Sequence, residues 1–176
     1  MNHHSNHSSR PSRRRCPDRF NAGMVELVIL GLLAAGPAHG YELRLRIPQI
    51  TGHGRPVADG TLYPAIKRLT AAGLVTRQTR PGRVAAPRQV LTLTPAGHLE
   101  LVRRLASVDV ADDPAWLTAL AFLAVLPNAG ELLRRRLAVL ESRGLPAAAD
   151  PYQQCRQAVL AAGREAELAW LRARVA

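Results

Sequence analysis

The chain is poor in the residues from which covalent and catalytic machinery is usually made. It holds only two cysteines, Cys16 and Cys155, far apart and without metal-ligand spacing around them. That excludes a disulfide framework and gives no support to a zinc site. It fits a reducing compartment, and incidental thiols explain the pair more simply than a redox sensor does. Long apolar runs are missing too. The longest uncharged stretch, Pro114 to Gly130, contains Pro127 and ends on Gly130, so its helical part falls short of the roughly 20 residues that cross a bilayer. The polar, basic start lacks the apolar core and cleavage site of a secretory signal. A cytoplasmic protein without stable membrane association is expected. No Ser/His/Asp or Cys/His arrangement has a supporting context, no glycine-rich loop follows a strand, and no carboxylate pair stands out. These gaps argue against an enzyme, and no cofactor is expected.

Lysine is nearly absent, but positive charge is not. The 24 basic residues, all arginine except Lys67, outnumber 13 acidic ones and leave a net charge of +11. Residues 1–23 carry five arginines against one aspartate, residues 24–105 eleven basic against four acidic, and residues 106–176 eight of each. The excess therefore lies in the N-terminal two-thirds, which suits a polyanionic partner. The plainer reading is solubility in an arginine-rich composition.

Residues 1–23 are rich in Ser, Asn, His and Arg with almost nothing to bury, and are expected to form a disordered basic tail. His3, His4 and His7 could chelate a metal, and Arg13 to Arg15 could lie on DNA or on anionic lipid. A solvated tail accounts for both, and no metal site is assigned. Met24 opens the ordered pattern and is a candidate start.

From Met24 to about Ala35 the pattern is a helix apolar nearly all round, hence buried, and Gly36-Pro37 stops it. A second helix is expected from Ala38, with Tyr41, Leu45 and Ile47 toward the core and Glu42, Arg44 and Arg46 toward solvent. Pro48 should end it, leaving residues 49–58 as a loop. A third helix starts at Asp59, a good N-cap. Its residues Leu62, Ala65, Ile66 and Leu69 follow the spacing of one buried face. Tyr63 and Lys67 lie opposite, Arg68 flanks them, and Gly73 is a left-handed stop. Leu74 to Thr79 and Arg88 to Thr94 read as paired strands around the turn Arg80-Pro81-Gly82-Arg83. Arg77, Arg80, Arg83 and Arg88 lie on or beside this hairpin, where a charged edge that resists aggregation is the alternative to a binding role. Thr94-Pro95 should cap a fourth helix reaching about Ala106. Asp109 to Pro114 mark a linker, and three more helices are expected near residues 114–126, 129–143 and 151–175.

Three helices followed by a two-stranded hairpin is the winged helix-turn-helix order. The expected fold is mainly α with a small β-hairpin wing: a winged helix-turn-helix domain over 24–106, then a helical dimerisation and possible effector region over 107–176. A helix with one packed side fits the major groove, and basic wing residues add salt-dependent affinity without reading sequence. Trp116 and Trp170 could line a pocket for a flat hydrophobic or aromatic effector, with core or dimer packing as the alternative. Arg164, Glu165 and Glu167 read as a solvated helical face.

The segments ILGLLAAGPAHGYEL (Ile29 to Leu43), DGTLYPAIKRLTAAGLV (Asp59 to Val75) and LTPAGHLEL (Leu93 to Leu101) resemble the winged-helix domain of the PadR family of bacterial transcriptional regulators. WLTALAFLAVL and GREAELAWL further on resemble its longer members. The resemblance implies a dimeric repressor on a palindromic operator in double-stranded DNA. It places Thr61, Tyr63, Pro64 and Lys67 on the DNA-facing part of the third helix, with Arg68 at its flank. His39 and Tyr41 would stand near the DNA backbone, and Arg80, Arg83 and Arg88 in the wing. The chain departs from the family pattern at Asp59, at Val90-Leu91 and at Pro48. Two other readings remain: a winged-helix module for protein–protein interaction without DNA binding, and a membrane-surface protein whose basic tail meets anionic lipid.

Overall fold

The computed structural model describes residues 22–52, 56–80, 88–144 and 147–175. The expected tail lies outside these residues except for Ala22 and Gly23, which open the first helix. The expected turn at 81–83 lies outside them as well.

Helix α1 (Ala22–Ala34) is the central rod, with Val25, Leu27, Val28, Ile29, Leu30, Leu32 and Leu33 all buried. An apolar surface all the way round needs partners on every side, and α1 packs against the three helices and the strand described next. Fully burying one such side chain contributes about 1.5–3 kcal/mol relative to leaving it exposed.

The second helix does not start at Ala38. Ala38–His39 form a short strand, β1, and α2 spans Gly40–Thr51. β1 pairs antiparallel with β3 (Arg88–Leu93), which pairs on its other side with β2 (Val75–Arg80), so the sheet order is β1-β3-β2. The third strand gives partners to backbone groups that a two-stranded hairpin would leave open. It also sets the phase of α2. Leu43, Ile47 and Pro48 are buried, whereas Tyr41 and Leu45, expected inside, are 65% and 43% exposed. Pro48 does not end the helix. Its ring packs into the core while its missing N–H leaves only the Arg44 carbonyl without its helical donor. The helix ends at Gly52, where φ is 70° and the N–H donates to the Pro48 carbonyl.

Helix α3 (Asp59–Ala71) buries Leu62, Ala65, Ile66 and Leu69 as its spacing demands. Its N-cap is Ala58, not Asp59. Asp59 stands in the first turn, where its charge still favours the helix start, and its carboxylate lies 3.4 Å from the Arg44 guanidinium. Gly73 adopts φ 71°, a conformation that disfavours any side chain. Helix α4 (Pro95–Ala106) is capped as expected, the Thr94 hydroxyl accepting from Gly97 N at 3.0 Å.

Helix α5 (Asp113–Leu120) stops short of the expected end and gives way to a single 3-10 turn, Leu123–Val125. The break lets Phe122 turn into the N-terminal core, where a Cβ on Gly31 would stand 2.5 Å from its ring. Helices α6 (Gly130–Ser142) and α7 (Pro151–Val175) then pack on each other. Trp116, Leu132, Leu133, Leu140 and Leu171 form a second core between α5, α6 and α7.

That second core holds a charge. The Arg136 side chain is 2% exposed. It donates to both carboxylate oxygens of Glu167 at 2.8 and 3.0 Å, to Asp113 Oδ1 at 2.8 Å and to the Val110 carbonyl at 2.7 Å. Its guanidinium carbon lies 5.5 Å from the Trp116 ring centre. Burial weakens the charged form, yet the bonds to Glu167 and Asp113 leave the pKa raised above the ordinary arginine value. Glu167 is therefore not part of a solvated face, and Arg164 donates to the Leu140 carbonyl.

Candidate nucleic-acid interface

The polar side of α3 stays open. Tyr63 is 50% exposed, and Pro64, Lys67 and Arg68 are exposed as well, with Thr61 half-buried at the edge of this face. The arrangement follows from the helix period: the four core positions occupy one side, leaving residues 63, 64, 67 and 68 outside. Lys67 points away from the core, and among the described residues no ion pair holds it. Arg68 differs. Its Nε donates to Glu26 on α1 at 2.7 Å, and Glu26 also accepts from Arg104 of α4 at 3.0 Å. Glu26 thereby ties α3 and α4 to α1, and Arg68 is part of that tie.

Beside Tyr63 lies an open cleft of about 500 Å³, lined chiefly by His39, Tyr41, Tyr63, Ile66, Arg77 and Gln89. Three chain segments distant in sequence meet there: the β1–α2 corner, the middle of α3 and the wing strands. The Tyr63 ring crosses close to Gly40, where a Cβ would be 3.5 Å away. His39 is held from two sides. Its N–H donates to Glu42 Oε2 at 2.8 Å, and its ring Nδ1 lies 2.9 Å from the main-chain carbonyl of Gln89. The first bond closes the start of α2; the second ties α2 to the wing.

Of the wing arginines, Arg77 lines the cleft and faces Leu91 in the strand register, and Arg80 pairs with Arg88 at the far end of the ladder. The side chains of Arg80 and Arg88, and Arg83 altogether, lie outside the described residues. The structure thus gathers His39, Tyr41 and Tyr63 around one hollow and sets Lys67 on the adjoining helical face. It adds Arg77 and Gln89, which the sequence reading did not select as site residues. Arg77 was visible as one of four hairpin arginines, whereas Gln89 became recognisable only once the third strand set the register.

The two tryptophans do not share a site with this cleft. Trp116 is fully buried in the second core. Trp170 is half-buried, with the Arg174 guanidinium 4.0 Å from its ring centre. A second hollow, about 330 Å³ and mostly apolar, lies between α1, α2 and the 3-10 turn; Gly31, Ile50, Ala121, Phe122 and Val125 line it, with Arg46 at its edge. Neither tryptophan lines either hollow. Among the described residues no group of three His, Cys, Asp or Glu side chains could hold a metal ion, and no helix is long and apolar enough to cross a membrane.

A family model described as the transcriptional regulator PadR-like family matches residues 29–103. This stretch runs from α1 through most of α4 and includes the whole cleft. An uncharacterised transposon protein of Streptomyces fradiae is 40% identical over 82 residues, 47% of this chain and 22% of that protein. The transcriptional regulator Rv3488 of Mycobacterium tuberculosis is 38% identical over 84 residues, 47% of this chain and 73% of that protein. The negative transcriptional regulator PadR of Bacillus subtilis is 30% identical over 78 residues, 44% of this chain and 43% of that protein. Its crystal structure with operator DNA aligns at TM-score 0.45 and 21% identity over 86% of this chain and 98% of that one. The chain thus spans less than half the length of two of these three relatives and most of the third. With a winged helix-turn-helix architecture, the family match across it and a regulator matched over most of its length, the chain belongs to the PadR-like family of transcriptional regulators.

Proposed function

We propose that the protein is a repressor that binds a palindromic operator in double-stranded DNA as a homodimer and lets go in response to a small molecule or another signal. The observation that carries the DNA reading is the open face of α3. Tyr63 and Lys67 are solvent-exposed next to a cleft whose rim holds His39, Tyr41 and Arg77, while the opposite face of the same helix is packed. A helix held this way enters a major groove, and the cleft and wing meet the neighbouring phosphates.

The dimer reading is supported by α7. Tyr152 is 88% exposed, and Val159 and Leu160 of the same helix are also exposed. A second copy covering that face would place two α3 helices on one duplex, with half-sites one helical turn or a multiple apart. The repressor reading is supported by the name of the B. subtilis relative, a negative regulator. Release by a small molecule is supported by the apolar hollow at the joint between α1, α2 and the 3-10 turn. A ligand preferring one arrangement of that joint would shift the spacing of the two α3 helices. In this reading Trp116 and Trp170 serve packing.

Capture of genomic DNA fragments on the purified protein, followed by footprinting, tests the proposal. The expected result is a palindromic site whose occupancy falls steeply with salt. Recovery of no site and no salt-dependent binding would favour the protein–protein interaction module instead.

A further inference from the structure

We infer that His39 donates to a DNA phosphate only as an imidazolium, so that duplex binding is coupled to uptake of a proton at the β1–α2 corner. This rests on the DNA-binding reading above. The Nδ1 contact of the ring decides which nitrogen carries the hydrogen. Its partner is the main-chain carbonyl of Gln89, 2.9 Å away. A carbonyl oxygen only accepts, so Nδ1 carries its hydrogen whether the ring is neutral or charged. In the neutral ring the other nitrogen, Nε2, is then a bare lone pair. It can accept a bond but has nothing to give to a phosphate oxygen, which is itself only an acceptor. A second proton reverses this. Nε2–H becomes a donor on a positively charged ring, and its bond to a phosphate oxygen is charge-assisted.

The ring is also well placed to act this way. β1 is paired through His39↔Val90, and the His39 N–H is bonded to Glu42 at 2.8 Å, so main chain and ring are both anchored. Around it in the cleft stand Tyr41 and Glu42 from α2, Tyr63 from α3, Arg77 from β2 and the neutral Gln89 from β3. Glu42 brings a negative charge to this corner and Arg77 a positive one. A phosphate entering between His39 and Arg77 adds the negative charge that lets both be positive together. Histidine is the side chain whose charge changes in the range of about pH 5–8, so the coupling falls where it can be measured.

Calorimetric titration of the full chain with a short mixed-sequence DNA duplex at low salt tests this, because a phosphate contact needs no particular sequence. Two buffers of different ionisation enthalpy count the protons. The expected result is a net uptake of up to one proton per chain. Affinity should weaken by up to about tenfold per pH unit for each chain as pH rises from about 6 to about 8. His39→Gln should bind without that uptake, and His98→Gln, on the exposed side of α4, should keep it. Ring-carbon NMR shifts of His39 in the unaltered protein should move to the charged form when duplex is added, which answers the question without a substitution. Binding with no uptake, uptake that survives His39→Gln, or a His39 ring whose charge does not change on duplex addition would each overturn the inference and leave the DNA reading standing. No binding by the unaltered protein at either pH would overturn both.

Discussion

The core around α1 is built from aliphatic side chains, Ile29, Leu30, Leu62, Ile66 and Leu69 among them, while the core between α5, α6 and α7 closes around the guanidinium of Arg136. The first is non-directional. Its stability is a sum of buried area, and it leaves the outer face of α3 free to carry Tyr63 and Lys67 without consequence for packing. The second is directional. Arg136 needs Glu167 from α7, Asp113 from α5 and the Val110 carbonyl at once, and each fixes the position of a different segment. Regions built this way break when the central member is removed, because a largely buried charge, here that of Glu167, is left without its partner.

The sharpest way to break the contrast is Arg136→Ala, expected to destabilise by about 3–5 kcal/mol, since it strands the largely buried Glu167, while the more exposed Asp113 keeps its bonds from Arg143. Urea unfolding followed at Trp116 measures it. Arg136→Met combined with Glu167→Met should recover a large part of the loss, and no recovery would mean that shape rather than charge holds this core together. In the aliphatic region the counterpart is Gly97→Ala. A Cβ there collides with the Leu74 carbonyl oxygen and crowds Leu93, and overpacking of this kind costs about 1–3 kcal/mol. A neutral result would show that the strand–α4 junction gives way more easily than its geometry implies.

Acid compares the two regions by their carboxylates. Hydrogen bonds from Arg103 and Arg104 hold Glu100 down to about 2, against 4.5 for the free group. Burial works upward on Asp113, but bonds from Arg136 and Arg143 keep its carboxyl below the usual value. Both groups are depressed, so each contributes stability that is full above its unfolded pKa and lost as pH falls through its folded one. The urea midpoint should therefore decline between about pH 4.5 and about 2. Glu100→Gln and Asp113→Asn should each flatten part of that decline. If neither does, other carboxylates carry the acid response.

The smallest effect belongs to the open face. Lys67→Ala should leave the unfolding free energy within about 0.5 kcal/mol of the parent, while lowering the slope of log affinity against log salt by about 0.9, the share of one phosphate. A change in stability without a change in slope would move Lys67 from the interface to the fold.

Much of this was legible in the chain. The apolar run of α1, the spacing of Leu62, Ala65, Ile66 and Leu69, the glycine stop at Gly73 and the Thr94-Pro95 cap all act within a few residues, and each appears where local rules put it. The outward placement of Tyr63 and Lys67 follows from the same period. The departures from local pattern share a cause. β1 exists because a strand fifty residues later offers it an edge, and its pairing turned Tyr41 and Leu45 outward. Pro48 stays helical because the core receives its ring. Asp59 yields the cap to Ala58, and Phe122 cuts α5 short to meet Gly31. Glu167 looked solvated because its partner, Arg136, lies thirty-one residues earlier on another helix.

Composition and periodicity thus determined the positions of α1, α3, α4 and the two wing strands, which face of α3 is buried and where positive charge is concentrated, since each depends on neighbours a turn or two away. Tertiary structure alone decided that His39, Tyr63, Arg77 and Gln89 share one cleft, that Arg68 is tied to Glu26, and that an arginine sits at the heart of the C-terminal core. Those outcomes depend on contacts between groups far apart along the chain, and no local pattern encodes the distance between them.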